Sequence, residues 1–562
     1  MPPRRPRPER LRRALKAAGI EVPGAWSRLR AGSRARSQWR AYLAQTEPWL
    51  IAAPRVHRFA QVPVVGDPGL ESAPLAVWIE GGGAAAAATR AALAGGTRAP
   101  AAVLEGPVAS ALGDNRCEHV LLLCAGDIPA PLAVERLGQA AALAPDADVI
   151  TCDEDELDRR GGRRAPRFRP GPSPDRWLAC DATGSTMVVR RDAAAGRSAG
   201  LSNAAAWRHE LALELAGGDG RRAAHVPLLL SHRGFGAAAP PPLAAEAVAA
   251  IAARDDPTAR VELAGGVRRV RREVAGEPEI EVVVCLRDRP ELLGRCVGSL
   301  LAQTAYDRLK LALVDNGSSE SETFELLGGY ERDPRVRILH DPRPFNFAAL
   351  NNGAAASSDA DMLVFLNNDT EIVAPDWAST LLEEAQRPQV GAVAPMLLYP
   401  GGAVQHAGAA LGLHGYAGHP FAGLRPGQPT PFGRADQGTR NWLAVTAACM
   451  MVQRSKFLAV GGFDESFVVA GNDVDLCLRL TAAGHRSLCV PHAIVVHDES
   501  RSRGAHIDPG DFVRSERSYG RFRTVGDPFY NPSLTLDATD CSVRVSSPVS
   551  GPMSGPASGE GR

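Results

Sequence analysis

The chain reads as an α/β protein built from two similar copies of a mostly parallel sheet, and three observations lead there. Apolar runs alternate with amphipathic stretches along the second half: IEVVVCL (Ile280–Leu286), LKLALVDN, VRILHD and MLVFLNND, with helical patterns near Glu320–Tyr330 and Phe347–Ala356 between them. Such alternation calls for crossover helices, and crossovers make neighbouring strands parallel. Landmarks also recur in the same order. The first half has LLLCAGDIPAP (Leu121–Pro131), a run ending in Asp127, and later HVPLLLSH, in which His232 closes a strand. The second has LVFLNNDTEIVAP, with its run ending at Asp369, and later CVPHAIVVH, closed by His497. This order predicts a tandem duplication. Finally, 562 residues exceed the roughly 250–300 that one core supports.

Five segments follow. Residues 1–74 form a basic head with a helical patch around Glu9–Ala18. Residues 75–235 form the first α/β unit, opening at LAVWIE (Leu75–Glu80). Residues 236–278 form a linker that carries an Ala-rich helix at Leu243–Ala253. The second α/β unit spans 279–507. Residues 508–562 form a Ser/Pro/Gly-rich tail, with disorder expected from Ser546.

Composition narrows the function classes. Lys plus Arg and Asp plus Glu number 63 each, so no global field points to nucleic acid. The ten cysteines fall singly, without a CxxC pair or metal-ligand spacing, which fits reduced thiols and a cytoplasmic protein. No apolar run reaches the roughly 18 residues of a membrane helix, and the N-terminus lacks the apolar core of a signal peptide. The head carries Arg4, Arg5, Arg7, Arg10, Arg12, Arg13 and Lys16 against the lone acid Glu9. Two readings stay open for it. One is peripheral contact with the inner face of the plasma membrane, at about 1 kcal/mol per basic residue near the surface; the other is a solubilising tail.

In an open α/β sheet, ligands gather beyond the carboxyl ends of the strands. The second half puts polar residues there: Arg287 and Asp288 after the first strand, Asp315-Asn316-Gly317-Ser318 after the second, and Asn367-Asn368-Asp369 after a later one. Farther on come GNDVDLCLRL (Gly471–Leu480) and the strand-closing His497. Each has a bland reading when taken singly. DNGS is a common turn, NND a turn or cap, the acids of GNDVD a helix cap, and a strand-end histidine a hydrogen-bonded structural residue. The ordered set carries the signal.

That set resembles glycosyltransferase family 2, inverting nucleotide-sugar transferases with a GT-A fold, and most of all its rhamnosyltransferase-like members that build bacterial surface polysaccharides. The matching text includes VVCLRDRPELLGRCVGSLLAQTAY, LVDNGSS, PFNFAALNNGAA, FLNNDTEIVAPDW, VGAVAPMLLYPGGAVQHAGAALG, GGFDESFVVAGNDVDLCLRL and VPHAIVVHDESRSRG, from about Glu279 to Gly504. The resemblance implies tandem GT-A, Rossmann-like domains and a set of roles. Asp369 falls on the last acid of the family's Asp-x-Asp motif, which binds a divalent cation, Mn²⁺ or Mg²⁺, on the donor diphosphate. Asn367 stands where the first acid is usual. A hard cation needs few protein ligands when phosphate oxygens supply the rest. His497 matches a strand-end histidine that completes the metal site in some members, and an imidazole favours Mn²⁺. Asp473 matches the base that takes the acceptor hydroxyl's proton, with Asn472 in place of the preceding acid. Asp315 would bind the nucleoside, with Arg287, Asn346, Asn367 and Asn368 around the donor. Asp475, and Asp464 or Glu465 in GGFDE, would meet the acceptor. Cys285-Leu286 stand where the family usually has Pro-Thr. The implied activity is transfer of a sugar from a UDP- or dTDP-linked donor to a glycan or lipid-linked acceptor, with rhamnose expected from resemblance alone.

The first half resembles a degenerate copy of the same family. Its metal position reads Ala125-Gly126-Asp127, and the place matching Asp473 falls near Arg208, a cation unable to act as a base. A catalytically inactive half is expected, serving as scaffold, acceptor platform or assembly surface. A rival reading is a dinucleotide site at Gly81–Gly83, with Glu105 closing the next strand. There Ala86 replaces the final glycine of the fingerprint, and an Ala-rich crossover helix accounts for the pattern. The alternative for the whole chain is a non-catalytic glycan- or nucleotide-binding assembly protein; the intact Asp369, Asp473 and His497 favour the enzyme.

Overall fold

The computed structural model describes residues 34–44, 55–61, 63–66, 69–114, 116–198, 206–236, 242–264, 267–499 and 508–545. The helical patch at Glu9–Ala18 and the segment from Ser546 lie outside the described residues.

The second sheet runs, edge to edge, Val336–His340, Leu309–Asp315, Ile280–Leu286, Met362–Asn367, Cys449–Gln453, Val390–Leu398, Arg486–His497 and Thr370–Ile372. Its first four strands are parallel, in line with the crossover pattern. Cys449–Gln453 then runs antiparallel to both of its neighbours, so the sheet is mixed rather than mostly parallel. The apolar run CMMV suits either direction, and periodicity alone does not choose one.

Alternate residues of each central strand feed two cores. Val282, Val284 and Leu286 face Leu293, Val297 and Leu300 of the helix Pro290–Gln303, together with Trp377 and Leu381. Val283, Leu363 and Phe365 face Ala348, Leu350, Phe457 and Phe463 on the other side. Burial on both faces explains why these strands read as continuous apolar runs. The helix Pro290–Gln303 starts where it does because proline fits the first turn and Glu291 complements the helix dipole there.

The first sheet has a similar strand order with one parallel strand fewer. Ala102–Leu104, Leu75–Glu80 and His119–Cys124 are parallel. Met187–Arg190 is antiparallel to its neighbours, Val149–Leu157 and Ala223–Arg233 are parallel, and the short Ile128–Pro129 pairs back on the last. Residues before Leu75 add Arg55–Arg58 and Val64–Val65 to its edge.

The halves meet across a buried charge cluster. Asp175, 4% exposed, pairs with Arg387 at 2.7 Å and Arg486 at 3.3 Å, and accepts from the Asn441 amide at 2.7 Å. Arg387 also meets Glu384, which pairs with Arg272 at 2.7 Å. Residues 236–278 contribute a helix, Ala245–Ala252, and a hairpin, Arg260–Ala264 with Val267–Arg271, that joins this cluster through Arg271 and Glu383. Residues 508–545, read from composition as tail, fold over both halves. Helix Pro509–Tyr519 presents Asp511 to the amides of Val468, Val469 and Ala470. Asn531 donates to Asp153 of the first half at 2.8 Å.

Burial raises the Asp175 carboxyl, but Arg387 and Arg486 outweigh it and hold the group below its ordinary value. A depressed carboxylate stabilises the fold above the unfolded-state pKa of 3.8, and that stability is lost as pH falls through the folded value. Asp175→Ala is expected to cost about 3–5 kcal/mol at pH 7, because the buried Arg486 loses its carboxylate partner and Arg387 keeps only Glu384. Urea unfolding at pH 7 and pH 3 checks this, with the difference from wild type smaller at pH 3, below the unfolded-state pKa.

Candidate functional site at the strand ends

Parallel register sets the level of the site. Leu286 is opposite Asp315, and Cys285 is opposite Asn367, so three adjacent strands end together. Asp315 is buried; it accepts from the Ser318 amide at 2.9 Å and meets His340 Nδ1 at 3.2 Å. Beside it, the buried Asn316 donates to two carbonyls and leaves Oδ1 without a hydrogen bond. Arg287 is exposed at the same edge. Asp288 holds this edge in shape: it sits at φ +55° and accepts from the Ser319 and Glu320 amides, which lower its carboxyl below the ordinary value.

The last strand of the ladder brings Asp369 and His497 together. Thr370 is opposite His497, and Asp369 Oδ1 lies 3.1 Å from His497 Nε2. Both residues are buried, and His497 Nδ1 has no partner. Asn367 Nδ2 is 3.4 Å from the same Nε2, and Asn368 is buried alongside. Two donors at about 2.1 Å from one octahedral cation lie about 3 Å apart, which the Asp369–His497 spacing matches. Among the described residues no group of three or more His, Cys, Asp or Glu is placed to hold a metal. The pair therefore fits a cation whose remaining ligands come from a phosphate or water.

Asp473 stands in the first turn of helix Asn472–Ala482. Its Oδ2 accepts from the Ala447 amide at 3.2 Å, and Asn367 N donates to the Ala448 carbonyl at 3.0 Å. Consecutive residues of one segment thus anchor Asp473 and the Asn367 strand end. The helix begins at Gly471, with φ +91°, where a Cβ would meet Ser515 Oγ and Tyr519 Oη at 2.8 Å. Only glycine suits both the left-handed backbone and that contact.

Other expected site residues are occupied elsewhere. Asp475 pairs with Arg479 at 2.7 Å and accepts from Ser518 at 3.0 Å, which ties its helix to Pro509–Tyr519. Asn346 caps helix Phe347–Ala356 by accepting from Ala349 N, and it donates to the Glu465 carbonyl. Asp464 and Glu465 are exposed; Asp464 caps its own turn, and Glu465 Oε1 accepts from Asn352.

Two histidines beside the site were not foreseen. His406 Nδ1 lies 3.0 Å from His419 Nδ1, and His406 Nε2 accepts the Gly408 amide at 3.3 Å. An Nε2 that accepts leaves the neutral His406 proton on Nδ1, so His406 donates to His419. Burial pushes both rings below the ordinary histidine value, and Asp473, Glu499 and His497 are near enough to act on His419. Both lie in the stretch Val390–Leu411 and its continuation, where the sequence signal was only the QHAG quartet.

Comparison with known proteins matches this half of the chain. The family model Glycosyl transferase family 2 covers residues 281–458. The N-acetylglucosaminyl-diphospho-decaprenol L-rhamnosyltransferase of Mycobacterium tuberculosis is 31% identical over 218 residues, 35% of this chain and 68% of that protein. The chain belongs to glycosyl transferase family 2. The O-antigen biosynthesis protein RfbC of Myxococcus xanthus is 41% identical over 461 residues, 78% of this chain and 36% of RfbC. The uncharacterized protein y4gI of Sinorhizobium fredii is 42% identical over 273 residues, 47% of this chain and 30% of y4gI. The chain thus spans about a third of the length of these two relatives.

With UDP present, Mn²⁺ binding is expected to weaken in Asp369→Ala and in His497→Ala by more than the roughly 10–100-fold that loss of an outer partner costs. Asp464→Ala leaves it unchanged. Electron paramagnetic resonance of free Mn²⁺ measures all three.

Proposed function

We propose that the chain is an inverting glycosyltransferase of bacterial surface-polysaccharide synthesis, taking a sugar from a UDP- or dTDP-linked donor to a glycan or lipid-linked acceptor. The observation that carries this is the shared level of Asp315, Asn367, Asp369, His497 and Asp473 at the carboxyl edge of one sheet, supported by the rhamnosyltransferase and O-antigen names of the relatives.

Asp315 and Asn316 would hold the nucleoside, and Asn367 and Asn368 would border the diphosphate without adding negative charge beside it. Asp369 and His497 would hold Mn²⁺ or Mg²⁺, which offsets charge on the leaving diphosphate when bound. Asp473 would take the acceptor proton while the diphosphate leaves from the opposite face. Tyr519 and the His406–His419 pair border Asp473. Asp475 is assigned to anchoring its helix and Asn346 to capping, and Asp464 and Glu465 remain for the acceptor rim. Among the described residues no helix is long and apolar enough to cross a membrane. A lipid-linked acceptor would be met at the membrane surface.

The first half is read as a duplicate that has lost this chemistry. The equivalent acid and histidine, Asp127 and His232, take separate partners: Asp127 accepts from Ser185 at 3.1 Å, and His232 meets Asp155 at 2.6 Å. Burial, then Glu154, pushes the Asp127 carboxyl up to about 6. Where the second half has Asp473, Arg208 pairs with Glu80, whose other oxygen accepts from Trp207 at 2.8 Å. The chain's own ion pair fills that place.

Transfer from radiolabelled UDP- and dTDP-sugars to lipid-extracted acceptor tests the reading. Asp473→Asn should lower turnover roughly 10²–10⁴-fold with nucleotide affinity retained. Full turnover in that variant would remove Asp473 as the base, and binding without transfer by any donor would favour the assembly protein.

A further inference from the structure

Two arginines are buried where the halves meet, and among the described residues neither has an acid. Arg176, on helix Pro174–Ala179 of the first half, is 5% exposed; Arg440, on strand Arg440–Trp442 of the second, is 3% exposed. Arg176 makes one bond, from Nη2 to Gln437 Oε1 at 3.3 Å, and its Nε and Nη1 have no partner. Arg440 donates from Nη2 to the Arg434 carbonyl at 3.3 Å, and its Nη1 has no partner.

The two groups are close. A Cβ on Gly433 would lie 2.8 Å from Arg176 Nη2 and 3.6 Å from Arg440 Nη2. Rings of Phe421, Phe432 and Trp442 stand 4.9, 5.0 and 5.7 Å from Arg440 Cζ. Aromatic faces interact with the flat of a guanidinium, while its N–H donors point outward in its plane. The unpaired donors are therefore the part the rings leave unsatisfied.

Two like charges this near, out of water, are costly without a counter-charge. The neighbouring Asp175 cluster shows the contrast, since there every buried guanidinium has a carboxylate. A guanidinium keeps its proton in proteins, so relief has to come from an anion.

We propose that Arg176 and Arg440 form a binding site for one small inorganic anion, a halide or a tetrahedral oxyanion, that bridges the two halves. Burial of both residues excludes a nucleotide or a lipid headgroup and leaves room in the argument only for an ion that enters during local opening. Arg440 Nη1 and one edge of the Arg176 guanidinium, either Nε or Nη1, supply its donors from two separate parts of the fold. The anion acts as a staple, distant in role from the strand-end site.

Crystals of the full chain soaked in sodium bromide supply the direct test, with a second soak in sulfate. An anomalous bromide peak touching both guanidinium groups, or sulfate density there, supports the site and tells halide from oxyanion. In solution, the unfolding midpoint at constant ionic strength should rise by roughly 1–3 °C per tenfold increase in chloride or phosphate over gluconate. Arg176→Met should abolish that rise. The proposal is overturned by soaks that leave the place empty, or by an anion-dependent rise that persists undiminished in Arg176→Met. If Arg176→Met fails to fold, the bromide soak of the unsubstituted chain decides alone.

Discussion

Asp369 and His497 are 128 positions apart in sequence and 3.1 Å apart in space. One short ladder accounts for this: Thr370–Ile372 turns back from the end of its parent strand and pairs antiparallel with Val495–His497. Everything else at the site is arranged around that contact. The parallel register of Leu309–Asp315, Ile280–Leu286 and Met362–Asn367 brings Asp315 and Asn367 to the same edge. The Ala447–Ala448 segment then ties Asp473 to it. The buried acid and imidazole hydrogen-bond to each other, while His497 Nδ1 is left without a partner.

The first half carries a comparable short ladder. Ile128–Pro129 pairs back on Ser231 and His232 just as Thr370–Ile372 pairs on Val495–His497. The scaffold is kept and the side chains differ. Arg208 and Trp207 both donate to Glu80, and Arg169 with Glu154 forms a further buried pair at 2.6 Å. In this arrangement the first half contributes stiffness. Asp175, Arg387, Arg486 and Asn441 lock it against the second half, and Asn531 of the C-terminal segment bridges back to Asp153.

Local rules made much of this legible. Apolar runs located the central strands and the strand ends that carry Asp315, Asp369 and His497, and the GNDVD stretch marked the helix start that carries Asp473. Two misplaced roles were also readable in principle. Asp475 and Arg479 have the i, i+4 spacing of a helix ion pair, and Asn346 directly before an Ala-rich helix is a favoured N-cap. Other features depend on contacts between distant segments, which periodicity does not report. The direction of Cys449–Gln453, the fold of residues 508–545 and the inter-half charge cluster are of that kind. So is the His406–His419 pair, brought together by a loop that leaves no spacing signature. Composition misled for residues 508–545 because their order comes from capping and long-range bonds rather than from a dense apolar run.

The central claim is that one donor site exists per chain and lies in the second half. Its most direct test is the stoichiometry of nucleoside diphosphate binding, read by native mass spectrometry with UDP or dTDP and Mn²⁺. The account predicts a single bound nucleotide per chain, unaffected by Arg208→Ala. Two nucleotides per chain, or one that disappears with Arg208→Ala, would contradict it.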